Sequence, residues 1–181
     1  MLYIIIQFLY TIFMIICFIG HRTITNEDQL IPRLKETILN LIEIGADTFL
    51  FGSKSKFDDI CLEIVSHFKK NYPNIKRVYV RSSYPIIDIS YEEYLLEFYD
   101  ETYFPKEVEN AGRCSYIKRN QNMIDVAYIC VFYYNSEYMP PVKKAKKHSS
   151  LLPTQERKSG TALAFNYAKQ KRKQIINLYT N

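Results

Sequence analysis

The first twenty residues, Met1 to Gly20, carry no charged side chain. A run of that kind crosses a membrane, is removed as a leader, or lies in the middle of a sheet. A secretory leader needs a basic start and a small-x-small cleavage site, and neither is present. Met14-Ile-Ile-Cys-Phe-Ile19 followed by Gly20 reads instead as a parallel strand buried on both faces. That leaves Met1–Phe13. A helix of that length spans about 20 Å, short of a hydrocarbon core of about 30 Å. Residues 1–13 are therefore read as an apolar extension, either upstream of a natural start at Met14 or a mobile arm. No stable membrane insertion is expected, with a membrane anchor as the alternative.

The remaining composition fits one domain, residues 14–181. The chain of 181 residues is 48% apolar and 24% charged, enough to build a core. Sixteen Tyr and eleven Phe supply aromatic bulk, with phenol hydroxyls reaching the core's edge. The four cysteines show no CxxC or metal-ligand spacing. Cys17, Cys61 and Cys130 lie in apolar runs, which points to reduced, buried thiols and a cytoplasmic location. The net charge of +5 is unevenly spread. Residues 139–174 hold ten Lys/Arg and one Glu, leaving 14 basic and 18 acidic residues elsewhere.

Alternating strand and helix patterns run along the chain. Asn26 is placed to cap a helix to about Ile44, with Leu30, Leu34, Ile38, Leu41 and Ile42 on one face and Gly45 as its stop. Thr48–Phe51 reads as a strand ending at Gly52. A helix follows from Lys56 to Lys70, then a strand at Lys76–Val80. Helical patterns return at Tyr91–Tyr99 and from Asn110 or Ala111 to Ile124. Ala127–Tyr133 is a strand, 136–158 a basic loop, Thr161–Lys171 a helix and Gln174–Tyr179 a last strand. This order implies an α/β, Rossmann-like three-layer fold. Its sheet would be mostly parallel, with five strands in the order 3-2-1-4-5 and helices on both faces. The topological switch then falls between the first and fourth strands, where ligands bind beyond the strands' carboxyl ends.

Four segments reach that rim: Gly20-His21-Arg22, Gly52-Ser53, Arg81-Ser-Ser83 and Ser159-Gly160-Thr161. Gly20 permits close backbone approach, and Arg22 can pair with a phosphate through two donors. The plainer alternative for this string is a tight turn with solvated side chains. Ser159-Gly160-Thr161 opens a helix and so offers an anion site, or simply an N-cap. Asp58 can accept a ribose hydroxyl, or it and Asp59 favour a helix N-terminus. Arg119 and Asn120 face the same pocket or form a structural polar cluster. His67 and His148 suggest no metal site. Pro141–Lys147 is a lysine cluster without interleaved aromatics, read as a solvated loop rather than a nucleic-acid site.

Several segments together resemble the YpsA-like family of uncharacterised bacterial proteins, within the SLOG (Smf/DprA–Lonely Guy) superfamily. They are Cys17-Phe-Ile-Gly-His-Arg22, Phe51-Gly-Ser53 with Phe57-Asp58, Arg119-Asn120-x-x-Met123-Ile-Asp125, and Ser159-Gly-Thr161 with Tyr167-Ala168. The resemblance runs from about residue 14 to 179. It implies a Rossmann-like fold and a pocket for a nucleotide or nucleotide-derived ligand; a sensor or regulatory role is the expectation set beside that binding. Hydrolases of that superfamily use Gly-Gly-x-Gly-Thr-x-x-Glu. Here Gly160 and Thr161 match, but Ala164 stands at the Glu position and has no acid–base chemistry.

The leading expectation is nucleotide binding with no cofactor and no metal, and whether the protein is an enzyme is left open. The first alternative is a nucleoside monophosphate phosphoribohydrolase, which needs Asp58, Asp125 or Glu156 in the pocket. The second is single-stranded nucleic-acid binding through the basic C-terminal quarter. A homo-oligomer remains open.

Overall fold

A computed structural model of the chain describes residues 14–52, 55–139 and 159–180. The extension 1–13, Ser53 and most of the basic loop, with Pro141–Lys147, His148 and Glu156, lie outside the described residues.

The apolar run after residue 13 forms β1 (Met14–Gly20), whose central residues are fully buried. The amphipathic pattern that follows forms α1 (Glu27–Glu43), with Leu30, Leu34, Ile38, Leu41 and Ile42 inward. Asn26 occupies the N-cap position, but its side chain makes no capping bond, contrary to expectation. Gly45 takes φ +105°, the left-handed conformation that ends a helix and that glycine adopts without strain. Then come β2 (Ala46–Phe51), α2 (Lys56–Lys69) and β3 (Lys76–Val80).

The next segment departs from the sequence reading. The helix expected at Tyr91–Tyr99 is α3 (Ile89–Leu96), and the chain then forms β4 (Glu101–Tyr103). The sheet therefore has six strands, not five, in the order β4-β3-β2-β1-β5-β6. β4 escaped detection because three residues beginning with Glu show neither an apolar run nor a clear alternation. Its position is fixed by pairing to β3 and by neighbouring side chains. Arg77 grips Asp100 through Nε and Nη2 at 3.1 Å each, and the Thr102 hydroxyl donates to the Tyr79 carbonyl.

Two 3-10 turns, Lys106–Val108 and Gly112–Cys114, precede α4 (Ser115–Val126). β5 (Ile129–Tyr133), α5 (Gly160–Gln170) and β6 (Gln174–Asn177) complete the described chain. Every strand pair is parallel. One face of the sheet presents Ile16, Phe18, Phe49, Phe51 and Val131 to α1 and α2. The other presents Cys17, Ile19, Leu50, Val78 and Phe132 to α4 and α5. Side-chain alternation along each strand thus feeds two cores, and the result is an open Rossmann-like α/β sheet between two helix layers. No helix of the described residues is long and apolar enough to cross a membrane.

Candidate functional site

β1 and β5 are neighbours, but the chain leaves them in opposite directions: from β1 through α1 to β2, and from β5 through α5 to β6. The crevice beyond Gly20 and Tyr133 is therefore the switch point of the sheet. Two helix starts hold the loop that leaves β1. The Thr161 hydroxyl, in the first turn of α5, donates to the Gly20 carbonyl at 2.9 Å. The Lys56 amide, at the start of α2, donates to the Arg22 carbonyl at 3.3 Å. Helix N-termini carry a partial positive charge, so two such ends converge on Gly20–Arg22.

The three loop residues have different roles. Gly20 is needed for packing: a Cβ there would lie 2.4 Å from the Phe57 ring. His21 is 2% exposed, so it is no solvated turn residue. Its Nε2 lies 2.9 Å from the Asn135 amide and 3.3 Å from the Asn135 carbonyl, so it accepts from the first or donates to the second according to the tautomer. Nδ1 is buried without a hydrogen-bond partner among the described residues. Tyr138 stacks on the imidazole with centroids 4.0 Å apart. Burial lowers the His21 pKa from 6.5 to about 4, against an opposing effect of the hydrogen bond to Asn135. Arg22 is exposed, and its guanidinium makes no hydrogen bond or ion pair among the described residues.

A second polar group lies at the ends of β2 and β3. Ser55 caps α2 by accepting the Asp58 amide at 3.1 Å, and its hydroxyl donates to Asp58 Oδ2 at 2.5 Å. The Gly52 amide donates to Asp58 Oδ1 at 3.4 Å. Asp58 is 2% exposed and Arg119 3%. Arg119 Nη1 donates to the Val80 carbonyl at 3.2 Å, and its Nε to Asn120 Oδ1 at 2.9 Å. Burial lowers the Arg119 pKa, while the charge of Asp58 opposes the shift. A Cβ on Gly52 would strike Arg119 Nη1 at 2.4 Å, so this glycine makes room for the guanidinium. Asp58, Arg119 and Asn120 are thus tied into the fold beneath the Gly52 loop.

Ser159 is the N-cap of α5, its hydroxyl accepting the Ala162 amide at 3.1 Å. A Cβ on Gly160 would lie 3.1 Å from the Tyr116 ring. Arg81 folds onto its own turn, donating to the Tyr84 carbonyl at 2.7 Å. A narrow cleft between the start of α1 and the ends of β5 and β6, bounded by Asn26, Arg33, Tyr133 and Thr180, has a volume of about 10 Å³, room for no more than a water. Among the described residues, no group of three His, Cys, Asp or Glu is placed to hold a metal ion.

No family model and no curated protein matches the chain.

Sequence reasoning missed Ser55, Asn135 and Tyr138 as parts of this site, and named Phe57 only as part of a family motif. Ser55-x-x-Asp58 is a capping pattern legible in the sequence. Asn135 and Tyr138 carry no comparable signal, since their role depends on β5 lying beside β1. Asp125 does not join the rim. It lies in the last turn of α4, at the end of the sheet opposite the rim, bound by the Tyr167 hydroxyl at 2.8 Å and by Lys171 at 3.5 Å.

Proposed function

We propose that this domain binds a nucleotide or nucleotide-derived phosphorylated ligand at the rim between β1 and β5, as a sensor or regulatory protein. The observation that carries the reading is the exposed Arg22 guanidinium, without a partner among the described residues, on a loop held by the first turns of α2 and α5. Helix N-termini and an arginine fork together suit a phosphate. Arg22 meets the phosphate, and the α5 start at Ser159-Gly160-Thr161 supplies backbone donors. The resemblance to the YpsA-like family points to the same ligand class.

Catalysis by the superfamily's hydrolases has no counterpart at residue 164. Ala164 is 4% exposed and packs into the core formed with α4 and α5. Asp58 is committed to Ser55 and Gly52, so the reading is binding rather than bond cleavage.

A thermal-shift panel of nucleoside mono-, di- and triphosphates and ADP-ribose tests the proposal. At least one should raise the Tm, and Arg22→Ala should weaken that ligand's binding by about tenfold or more, the usual loss for a charged hydrogen bond. Absence of any stabilising nucleotide, or unchanged affinity in Arg22→Ala, would overturn it.

A further inference from the structure

A parallel sheet gathers the starts of all its strands at one end, opposite the ligand rim. At that end the turns before β2 and β5 expose apolar side chains: Ile44 is 60% exposed, Val126 44% and Tyr128 60%. β2 and β5 are the two neighbours of β1. Ala46 pairs with Met14, and the Tyr128 amide donates to the Ile15 carbonyl at 2.7 Å. The exposed residues therefore flank the point where the chain enters β1. The sequence immediately before that point, residues 1–13, has no charge, and only Gln7 and Thr11 fall outside its apolar and aromatic set.

Basic side chains lie around this apolar centre. The turns Lys69–Lys76, before β3, and Lys169–Lys173, before β6, contribute seven Lys/Arg and no acid. Lys69, Lys76 and Lys171 pair with Asp100, Glu101 and Asp125. Lys70 and Arg172 are exposed and make no ion pair among the described residues. Glu43, Asp47 and Glu97 are the other acids at this end and Arg77 its other base, leaving a small positive excess carried by Lys70 and Arg172.

We infer that this end of the domain is a peripheral docking face for an anionic lipid surface. An apolar centre inserts among acyl chains while a basic surround meets headgroup charge; either signal alone holds a protein weakly, and the two together hold it well. Nucleic acid fits less well, because its phosphates call for positive charge at the centre of the contact rather than exposed Ile and Tyr. The orientation leaves the nucleotide rim facing away from the lipid.

Co-sedimentation of the full chain with phosphatidylcholine vesicles, with and without phosphatidylserine, tests this. Binding should require phosphatidylserine and weaken several-fold as salt rises. Lys70→Glu with Arg172→Glu should reduce partitioning at least about tenfold, given roughly fivefold per surface charge. Ile44→Ser with Tyr128→Ser should cost about tenfold. All four side chains are exposed, so these variants keep their fold, which the Tm confirms. Arg113→Glu makes the same charge change as Arg172→Glu alone, beside the start of α4 at the opposite end, and should leave binding within about twofold while Arg172→Glu alone weakens it by about fivefold or more. Equal losses from Arg113→Glu and Arg172→Glu would reduce the effect to whole-molecule charge and overturn the inference. Full binding by the Ile44/Tyr128 pair would do so too, because residues 1–13 would then act without this face. Failure to bind vesicles, with or without self-association through this end, is equally decisive against it.

Discussion

A methyl group on Gly20 would lie 2.4 Å from both Cγ and Cδ1 of Phe57. No rotamer relieves a clash that also reaches Phe57 Cβ at 2.6 Å, so α2 must move away from β1. Gly20→Ala should therefore destabilise the domain by about 1–3 kcal/mol, the usual cost of overpacking a core. Adding Phe57→Ala to Gly20→Ala should cost less than the two single changes summed, and strict additivity in denaturant unfolding would refute the contact. His21 makes a second prediction. Its folded pKa of about 4 lies below the ordinary 6.5, so the folded state prefers the neutral ring. The stability that follows is complete above pH 6.5 and is lost as pH falls toward 4. His21→Gln keeps an acceptor for the Asn135 amide but does not titrate there. Its stability should fall less steeply across that window in urea titrations, and parallel slopes would show that His21 is not held neutral. Both residues stood out in the sequence, but what surrounds them did not. A glycine after a buried strand signals close approach without saying what approaches, and here it is a phenyl ring as well as any ligand. The burial of His21 depends on Asn135 and Tyr138, which no local pattern links to it.

Helices α2 and α5 begin at the same rim with caps of different weight. Ser159 satisfies one backbone amide of α5. Ser55 does the same for α2 and also donates to the buried carboxylate of Asp58. Ser159→Ala should therefore cost about 1 kcal/mol, an ordinary N-cap loss. Ser55→Ala should cost about 2–3 kcal/mol, because it also removes a donor from a buried charge. Chemical denaturation of both variants checks the ranking, and equal losses would show that the Ser55–Asp58 bond adds nothing. At this scale the sequence was most readable where burial is periodic. Leu30, Leu34, Ile38 and Ile42 outline α1, and the unbroken run to Ile19 marks β1, because each pattern is the direct imprint of one buried face. β4 left no such imprint. Its residues are half-buried or exposed, and Asp100 and Arg77, outside its bounds, help to hold it against β3. Edge strands held by ion pairs and backbone bonds lack the hydrophobic signature by which strands are recognised.

One sheet serves both helix layers, so neither core can open far without exposing the back of the other. Alternate residues of β1 and β5 show why: Ile16 and Phe18 face α1 and α2, while Cys17 and Ile19 face α4 and α5. The cysteines report on the two layers separately. Cys61 is on the buried face of α2, Cys17 and Cys130 lie side by side in register beneath α4 and α5, and Cys114 is exposed. Burial raises the thiol pKa of Cys17 and Cys61, which suppresses their reaction further while the domain is folded. A thiol reagent added to the native protein should modify Cys114 at once. The other three should react only through opening of the structure, at rates set by the equilibrium population of open forms. If the domain opens as one unit, the opening free energies at Cys61, Cys17 and Cys130 should agree, each rate being divided by that of the same cysteine in denaturant. Mass spectrometry of labelled peptides resolves the sites. Earlier labelling of Cys17 and Cys130 than of Cys61 would mean that α4 and α5 lift from the sheet by themselves. The start of α5, which helps to hold the Gly20–Arg22 loop, would then belong to the less stable layer, and ligand binding at the rim should slow labelling of Cys17 and Cys130 more than that of Cys61.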